Sequence, residues 1–254
     1  RGNGPYESNR RRLKEQGRLG HHVQGALQFL SELTPPRPYS AADVVFDLRP
    51  GAPAQAWARD WLDEHGLTDR VLVGVAPGSI QPHKRWPLEK FQRLCEQLLA
   101  DDPMNVIVVL GTGADVPLGE QLAAAAPERV FNLAGSTTIA QSAALLAHCS
   151  LLVGNDGGAM HLGDAMGAKV VSIVPGIEYP DSIEPWNNKD LAVRHPVECA
   201  PCYQFTRCPK GHNKCMVDLP VDRVLSNCRI AVQRHAAASR PVRKGGCATP
   251  ISSL

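Results

Sequence analysis

From about residue 70 the chain alternates between two kinds of segment, and this alternation limits the fold more than any other feature. Short β-branched runs occur at Val71 to Ala76, Asn105 to Leu110, Arg129 to Leu133, Leu151 to Gly154 and Lys169 to Val174. Between them lie stretches of helical character, from Pro87 to Ala100, Pro117 to Ala126, Thr138 to Cys149 and Gly158 to Met166. In the first of these Leu88, Phe91, Leu94, Leu98 and Leu99 share one helical face. Pro87 opens it, where the missing N–H would have had no partner anyway. Strands joined through helices imply βαβ units. The expected fold class is α/β, a Rossmann-like parallel sheet.

The flanks have a different character. Residues 1–20 are polar and basic, with Arg10, Arg11, Arg12, Lys14 and Arg18, and suggest a linker or exposed arm. Val23, Leu27, Leu30 and Leu33 place a short helix over residues 21–33, stopped by Thr34-Pro35-Pro36-Arg37-Pro38. His21-His22 is expected on the linker surface. Residues 1–40 are thus expected as a connector and residues 41–234 as the α/β domain, with an irregular stretch at 175–219 and a last helix from Leu219 to Val232. Residues 235–254 are expected as a flexible basic tail. The chain starts at Arg1 without an apolar leader, and is expected to be a fragment or trimmed piece.

Composition narrows the function classes. Hydrophobic residues make up 43% of the 254, which excludes wholesale disorder. A net charge of +2 is too balanced to point to nucleic acid, and no nucleic-acid partner is expected. The longest apolar runs are far too short to span a bilayer, so membrane association is expected to be peripheral at most. Of eight cysteines, four are clustered as Cys199-x2-Cys202-x5-Cys208-x6-Cys215, with His212 nearby. Four thiolates at such spacing can hold a structural zinc. Disulfides or reduced buried thiols are the alternatives.

Ligands of open α/β sheets bind beyond the carboxyl ends of the strands. There the sequence places Ala76-Pro77-Gly78-Ser79, Gly111-Thr112-Gly113, Leu133-Ala134-Gly135, Gly154-Asn155-Asp156-Gly157-Gly158 and Pro175-Gly176. The fourth segment enters a helix, whose first N–H groups can bind an anion. A carboxylate beside a diphosphate would repel it, so Asp156 belongs on hydroxyls if it touches ligand, or else serves only as a helix cap. Lys84-Arg85 stands before another helix start, where cations gain nothing from the dipole unless an anion is shared. Gly111-Thr112-Gly113 lacks the third glycine of a dinucleotide fingerprint. No Walker A loop or Gly-x-Ser-x-Gly elbow is present.

In this order the motifs resemble the C-terminal half of the family 9 glycosyltransferases, the lipopolysaccharide heptosyltransferases and their relatives. The matching stretches are Ala76-Pro77-Gly78-Ser79 with Lys84-Arg85-Trp86-Pro87, then Gly154 through Leu162, then Cys199-Ala200-Pro201-Cys202 through Cys208-Pro209-Lys210-Gly211-His212 to Cys215. The resemblance covers roughly residues 70–232, and the basic segment with its helix is similar to the family's interdomain connector. It implies the C-terminal domain of a GT-B fold, with most of the N-terminal domain absent from this chain. It implies an inverting, metal-independent transfer of a sugar from a nucleotide donor such as ADP-heptose to a lipopolysaccharide core or other glycan. Carried over by position, Lys84 would contact the diphosphate and Ser79 would line its site. Gly157, Gly158 and Ala159 would offer N–H groups to phosphate, Asp156 would bind sugar hydroxyls, and His161 would lie beside them. Thr137 and Thr138 begin the loop that lines base and ribose, and Asp115 and Glu120 are candidates for a ribose contact. No residue takes the part of the general base, which the family places in its N-terminal domain. A nucleotide-sugar-binding module without transfer activity is therefore the alternative. The resemblance also implies a cytoplasmic protein working at the inner face of the inner membrane.

Overall fold

A computed structural model of the chain describes residues 20–33 and 39–238. Its centre is a five-stranded, fully parallel sheet of β1 (Val71–Ala76), β2 (Asn105–Val109), β3 (Val130–Asn132), β4 (Cys149–Asn155) and β5 (Lys169–Ile173), in the order β3-β2-β1-β4-β5. The helices are α1 (His22–Leu33), α2 (Ala52–Glu64), α3 (Leu88–Asp101), α4 (Val116–Ala123), α5 (Ile139–Leu146), α6 (Gly158–Ala165), α7 (Lys214–Val217) and α8 (Val221–Ala238). The expected parallel α/β class is what forms.

Period-two alternation sorts the strand side chains into two cores. Val73, Val75, Ile107, Val109, Leu151, Val153, Val171 and Ile173 face one side, against Phe91, Leu94 and Leu98 of α3 and Val224, Leu225 and Cys228 of α8. Leu72, Ala76, Val106, Val108, Leu152 and Val170 face the other, against Trp61 and Leu62 of α2, Leu145 and Leu146 of α5, and Met160 of α6. A sheet covered on both faces needs strands apolar at every position, which explains why these runs read as unbroken hydrophobic stretches.

Several element bounds differ from the sequence expectation. Helix α2 was not foreseen. Its apolar stripe is thin, with only Ala54, Ala58, Trp61 and Leu62 buried, so periodicity is weak. Helix α5 ends at Leu146 rather than Cys149, because Cys149 opens β4 and pairs with Leu72 of β1. The last helix starts after Pro220 and continues to Ala238, past the expected tail boundary. His21 was expected on the surface and is instead 5% exposed. The expectations for residues 1–19, 34–38 and 239–254 lie outside the described residues. Among the described residues no helix is long and apolar enough to cross a membrane.

Candidate functional site

The strand order reverses between β1 and β4, which lets their carboxyl ends open into a crevice. A cavity of about 670 Å³ occupies it, a size suited to a small-molecule ligand. Its walls come from the loop after β1 (Gly78, Ser79, Ile80, Gln81, Lys84 and Arg85), the loop after β2 (Gly111, Thr112, Ala114 and Asp115) and the end of β4 with the start of α6 (Asn155 to Ala159).

The loop after β1 forms an arch. A 3-10 turn at Pro82–Lys84 tightens it, and the Arg85 Nε donates back to the Ser79 carbonyl at 2.9 Å. Its far end is Trp86, 1% exposed, whose indole N–H donates to the Leu219 carbonyl at 3.0 Å. Its ring edge meets Phe91 at a centroid distance of 5.0 Å. Lys84 at the end of the turn reaches across to Asp156, Nζ to Oδ2 at 2.8 Å. Gln81 adds a buried amide oxygen without a protein partner.

Opposite the arch, β4 ends at Asn155 and the chain passes through Asp156 and Gly157 into α6. No side chain caps this helix start. The first amides of α6 have no intrahelical partner and carry the positive end of the helix dipole. They stand beside the Lys84 ammonium at one wall of one cavity. Such an arrangement can hold a phosphate group. From the β2 side, Thr112 N–H and Oγ1 both donate to Asp115 Oδ2 at 2.8 Å. The Asp115 carboxylate lies so close to Gly78 that a Cβ there would sit 2.2 Å from Oδ1. A larger residue at this position would have to push that carboxylate away from Thr112.

The structure brings together Ser79, Lys84, Asp156, Gly157, Gly158 and Ala159, and Asp115 with them. It does not bring Thr137, Thr138, Glu120 or His161 to that wall. Thr137 Oγ1 pairs with Ser142 Oγ at 2.7 Å, and Thr138 forms the capping box of α5 with Gln141. His161 faces a separate depression of about 210 Å³, lined also by His21, His22, Phe46 and Trp186. Asn155, the most tightly bonded side chain at the site, carried no expected role. Its signal was only its place at a strand end before Asp156-Gly157-Gly158.

The clustered cysteines Cys199, Cys202, Cys208 and Cys215 are partly exposed free thiols. Cys199 Sγ lies 3.9 Å from His212 Nε2. Partial burial alone would raise the Cys208 thiol, but the amides of Asn213, Lys210, Gly211 and His212 outweigh it and hold the thiol below its ordinary value. Among the described residues no three His, Cys, Asp or Glu side chains are placed to hold a metal ion, while Cys199, Cys202 and Cys208 lie close enough to Cys215 to add to the rise that burial gives its thiol.

Comparison with known proteins bears on the family and the fold. The family model described as glycosyltransferase family 9 (heptosyltransferase) matches residues 7–212. Lipooligosaccharide heptosyltransferase 2 of Campylobacter jejuni serotype O:2 is 31% identical over 166 residues, covering 63% of this chain and 50% of that protein. Lipopolysaccharide heptosyltransferase 2 of Escherichia coli K12 is 30% identical over 166 residues, covering 62% of this chain and 46% of that protein. The chain thus spans about half the length of the curated relatives it matches. Two solved structures share the fold. A family 9 glycosyltransferase of Veillonella parvula has a TM-score of 0.70 at 20% identity, over 85% of this chain and 60% of that one. The E. coli ADP-heptose lps heptosyltransferase II has a TM-score of 0.60 at 22% identity, over 81% and 57%. With the match extending over most of its length, this chain belongs to glycosyltransferase family 9, the heptosyltransferase family.

Proposed function

We propose that this chain is the donor-binding part of a heptosyltransferase that moves heptose from ADP-heptose to a lipopolysaccharide core or similar glycan acceptor. The observation that carries this is the meeting of Lys84 and Asp156 at the uncapped start of α6, inside the switch-point cavity. Lys84 and the amides of Gly157, Gly158 and Ala159 would hold the diphosphate. Asp156, too close to those oxygens to accept a second negative group, would turn to the sugar hydroxyls. Ser79 would line the phosphate site and Asp115 would face the ribose. ADP and heptose are taken from the relatives, among them the E. coli ADP-heptose lps heptosyltransferase II.

Transfer with inversion needs an acceptor hydroxyl to attack the anomeric carbon while its bond to the diphosphate oxygen breaks. The departing ADP carries away the electron pair, and a base takes the hydroxyl proton. Lys84 and the helix-start amides supply positive charge where negative charge develops, so this reading calls for no metal in catalysis. It places the protein in the cytoplasm, at most peripherally on the inner membrane.

A second reading has its own support. The carboxylates lining the cavity are Asp115 and Asp156, and each is already engaged, by Thr112 and by Lys84. The described residues of the cavity therefore offer no free general base, and the chain alone would bind the donor without transferring it. The acceptor side and the base would come from the remaining half that the longer relatives have.

Calorimetric titration with ADP, UDP and GDP, without added metal, tests the donor assignment. ADP binding that is lost in Lys84→Ala is the expected result. Binding of UDP or GDP in its place would overturn the ADP assignment, and no binding at all would overturn the donor-site reading of this chain.

A further inference from the structure

We infer that Asn155 is the positioning residue of this site, holding the arch that presents Lys84. Asn155 is 2% exposed at the end of β4. Its Oδ1 accepts the Trp86 backbone N–H at 2.9 Å. Its Nδ2 donates to the Pro77 carbonyl at 2.7 Å, with the Gly78 carbonyl at 3.5 Å. One carboxamide therefore ties both feet of the arch, Pro77 where it leaves β1 and Trp86 just before α3, to the end of the strand that leads into Asp156. Residues 78–85 bridge those feet, tightened by the 3-10 turn and the Arg85–Ser79 bond, with Ser79 and Lys84 on the cavity side.

The chemistry suits an amide and no other side chain of its size. One foot presents an N–H and the other presents carbonyls, so the tie needs an acceptor and a donor on the same planar group. Aspartate keeps the acceptor and loses the donor. Alanine loses both and leaves buried backbone groups without partners, which is costly. Because Asp156 directly follows Asn155, the last residue of β4, fixing the arch to the first sets the reach of Lys84 to the second. Asn155 touches no reacting atom in this arrangement. It acts through Lys84.

The affinity readout rests on the donor-site reading above, so the test carries a second readout that does not. Lys84 reactivity toward reductive methylation is measured by mass spectrometry in the wild-type chain, Asn155→Asp and Asn155→Ala, with Lys169 at the start of β5 as internal reference. Folding is followed by circular dichroism, and the isosteric Asn155→Asp serves if Asn155→Ala fails to fold. Release of Lys84 from Asp156 predicts a several-fold rise in Lys84 methylation with Lys169 unchanged. Wild-type reactivity of Lys84 in a folded variant would overturn the positioning role. In parallel, ADP affinity is expected to fall about tenfold in Asn155→Ala, as for loss of a tie between buried polar groups. Adding Lys84→Ala to that variant should then cost little more, whereas fully additive losses would overturn the coupling. If the wild-type chain binds no ADP, the donor reading fails and lysine reactivity still decides the role of Asn155.

Discussion

Lys84 and Asp156, 72 positions apart in the sequence, form an ion pair at 2.8 Å with the carboxylate 6% and the lysine 18% exposed. Removing one partner of such a pair leaves the other without a counter-charge, a larger penalty than the pair's own net worth. Lys84→Ala is therefore expected to lower stability by about 1–3 kcal/mol, less than for a fully buried pair because water reaches the amine. The double change Lys84→Ala with Asp156→Asn should recover most of that loss without recovering ADP affinity. Urea unfolding of both variants checks this, and equal destabilisation of the two would show that the unpaired carboxylate is not the cause.

Gly158 has no role in the fold that requires glycine. A Cβ there meets nothing within 4 Å, and on Gly157 it meets only the Asn155 carbonyl at 3.8 Å. Gly158→Ala should leave stability equal or raise it by up to about 1 kcal/mol, since alanine favours a helix. A methyl group at the helix start would at the same time obstruct phosphate, so ADP affinity should fall. Thermal melts and titration of the same variant separate the two effects. Unchanged affinity would move the phosphate site away from α6.

His21 makes the docking of α1 sensitive to acid. Its Nε2–H donates to the Glu184 carbonyl at 2.7 Å, and its Nδ1 accepts the Val23 N–H at 3.1 Å, an arrangement that fits the neutral ring. Burial lowers its pKa, outweighing the Glu184 carbonyl bond that raises it. A histidine with a lowered folded value contributes fully above the ordinary value of about 6.5 and loses that contribution as pH falls toward the folded value. Hydrogen exchange in α1 is expected to accelerate below that point, with a change in the emission of Trp186, whose ring lies 4.8 Å from the imidazole. His21→Gln should flatten the pH dependence. Exchange indifferent to pH in the wild-type chain, once corrected for intrinsic rates, would contradict this account.

The cysteines divide by environment. Burial pushes Cys95 and Cys149 up to about 12 and raises Cys228 further, while Cys208 is lowered by the amides around it. Thiolate is the reactive form. Iodoacetamide near neutral pH should modify Cys208 first and leave Cys95, Cys149 and Cys228 untouched until the chain unfolds. The Cys208 rate should climb with pH and level off earlier than for an ordinary thiol. Peptide mapping over time checks the order, and early labelling of Cys149 would show that β4 opens in the native state.

The alternation of apolar runs and helical stretches determined the parallel α/β class, because strands buried on both faces leave a continuous hydrophobic signal in the chain itself. The glycine-rich strand ends were legible for the same reason, as local punctuation between periodic segments. What the tertiary structure decided was which of those ends meet. The order β3-β2-β1-β4-β5 puts the ends of β1, β2 and β4 around one cavity, while Thr137 and Thr138, beyond the edge strand β3, take up capping and pairing of α5 instead. The Asn155 tie joins residues 69 and 78 positions away, and the Lys84–Asp156 pair is of similar span. Helix α2, whose buried stripe is four residues, likewise became visible only through what it packs against. Such contacts arise from strand pairing across long loops, and no periodicity within a single segment encodes them.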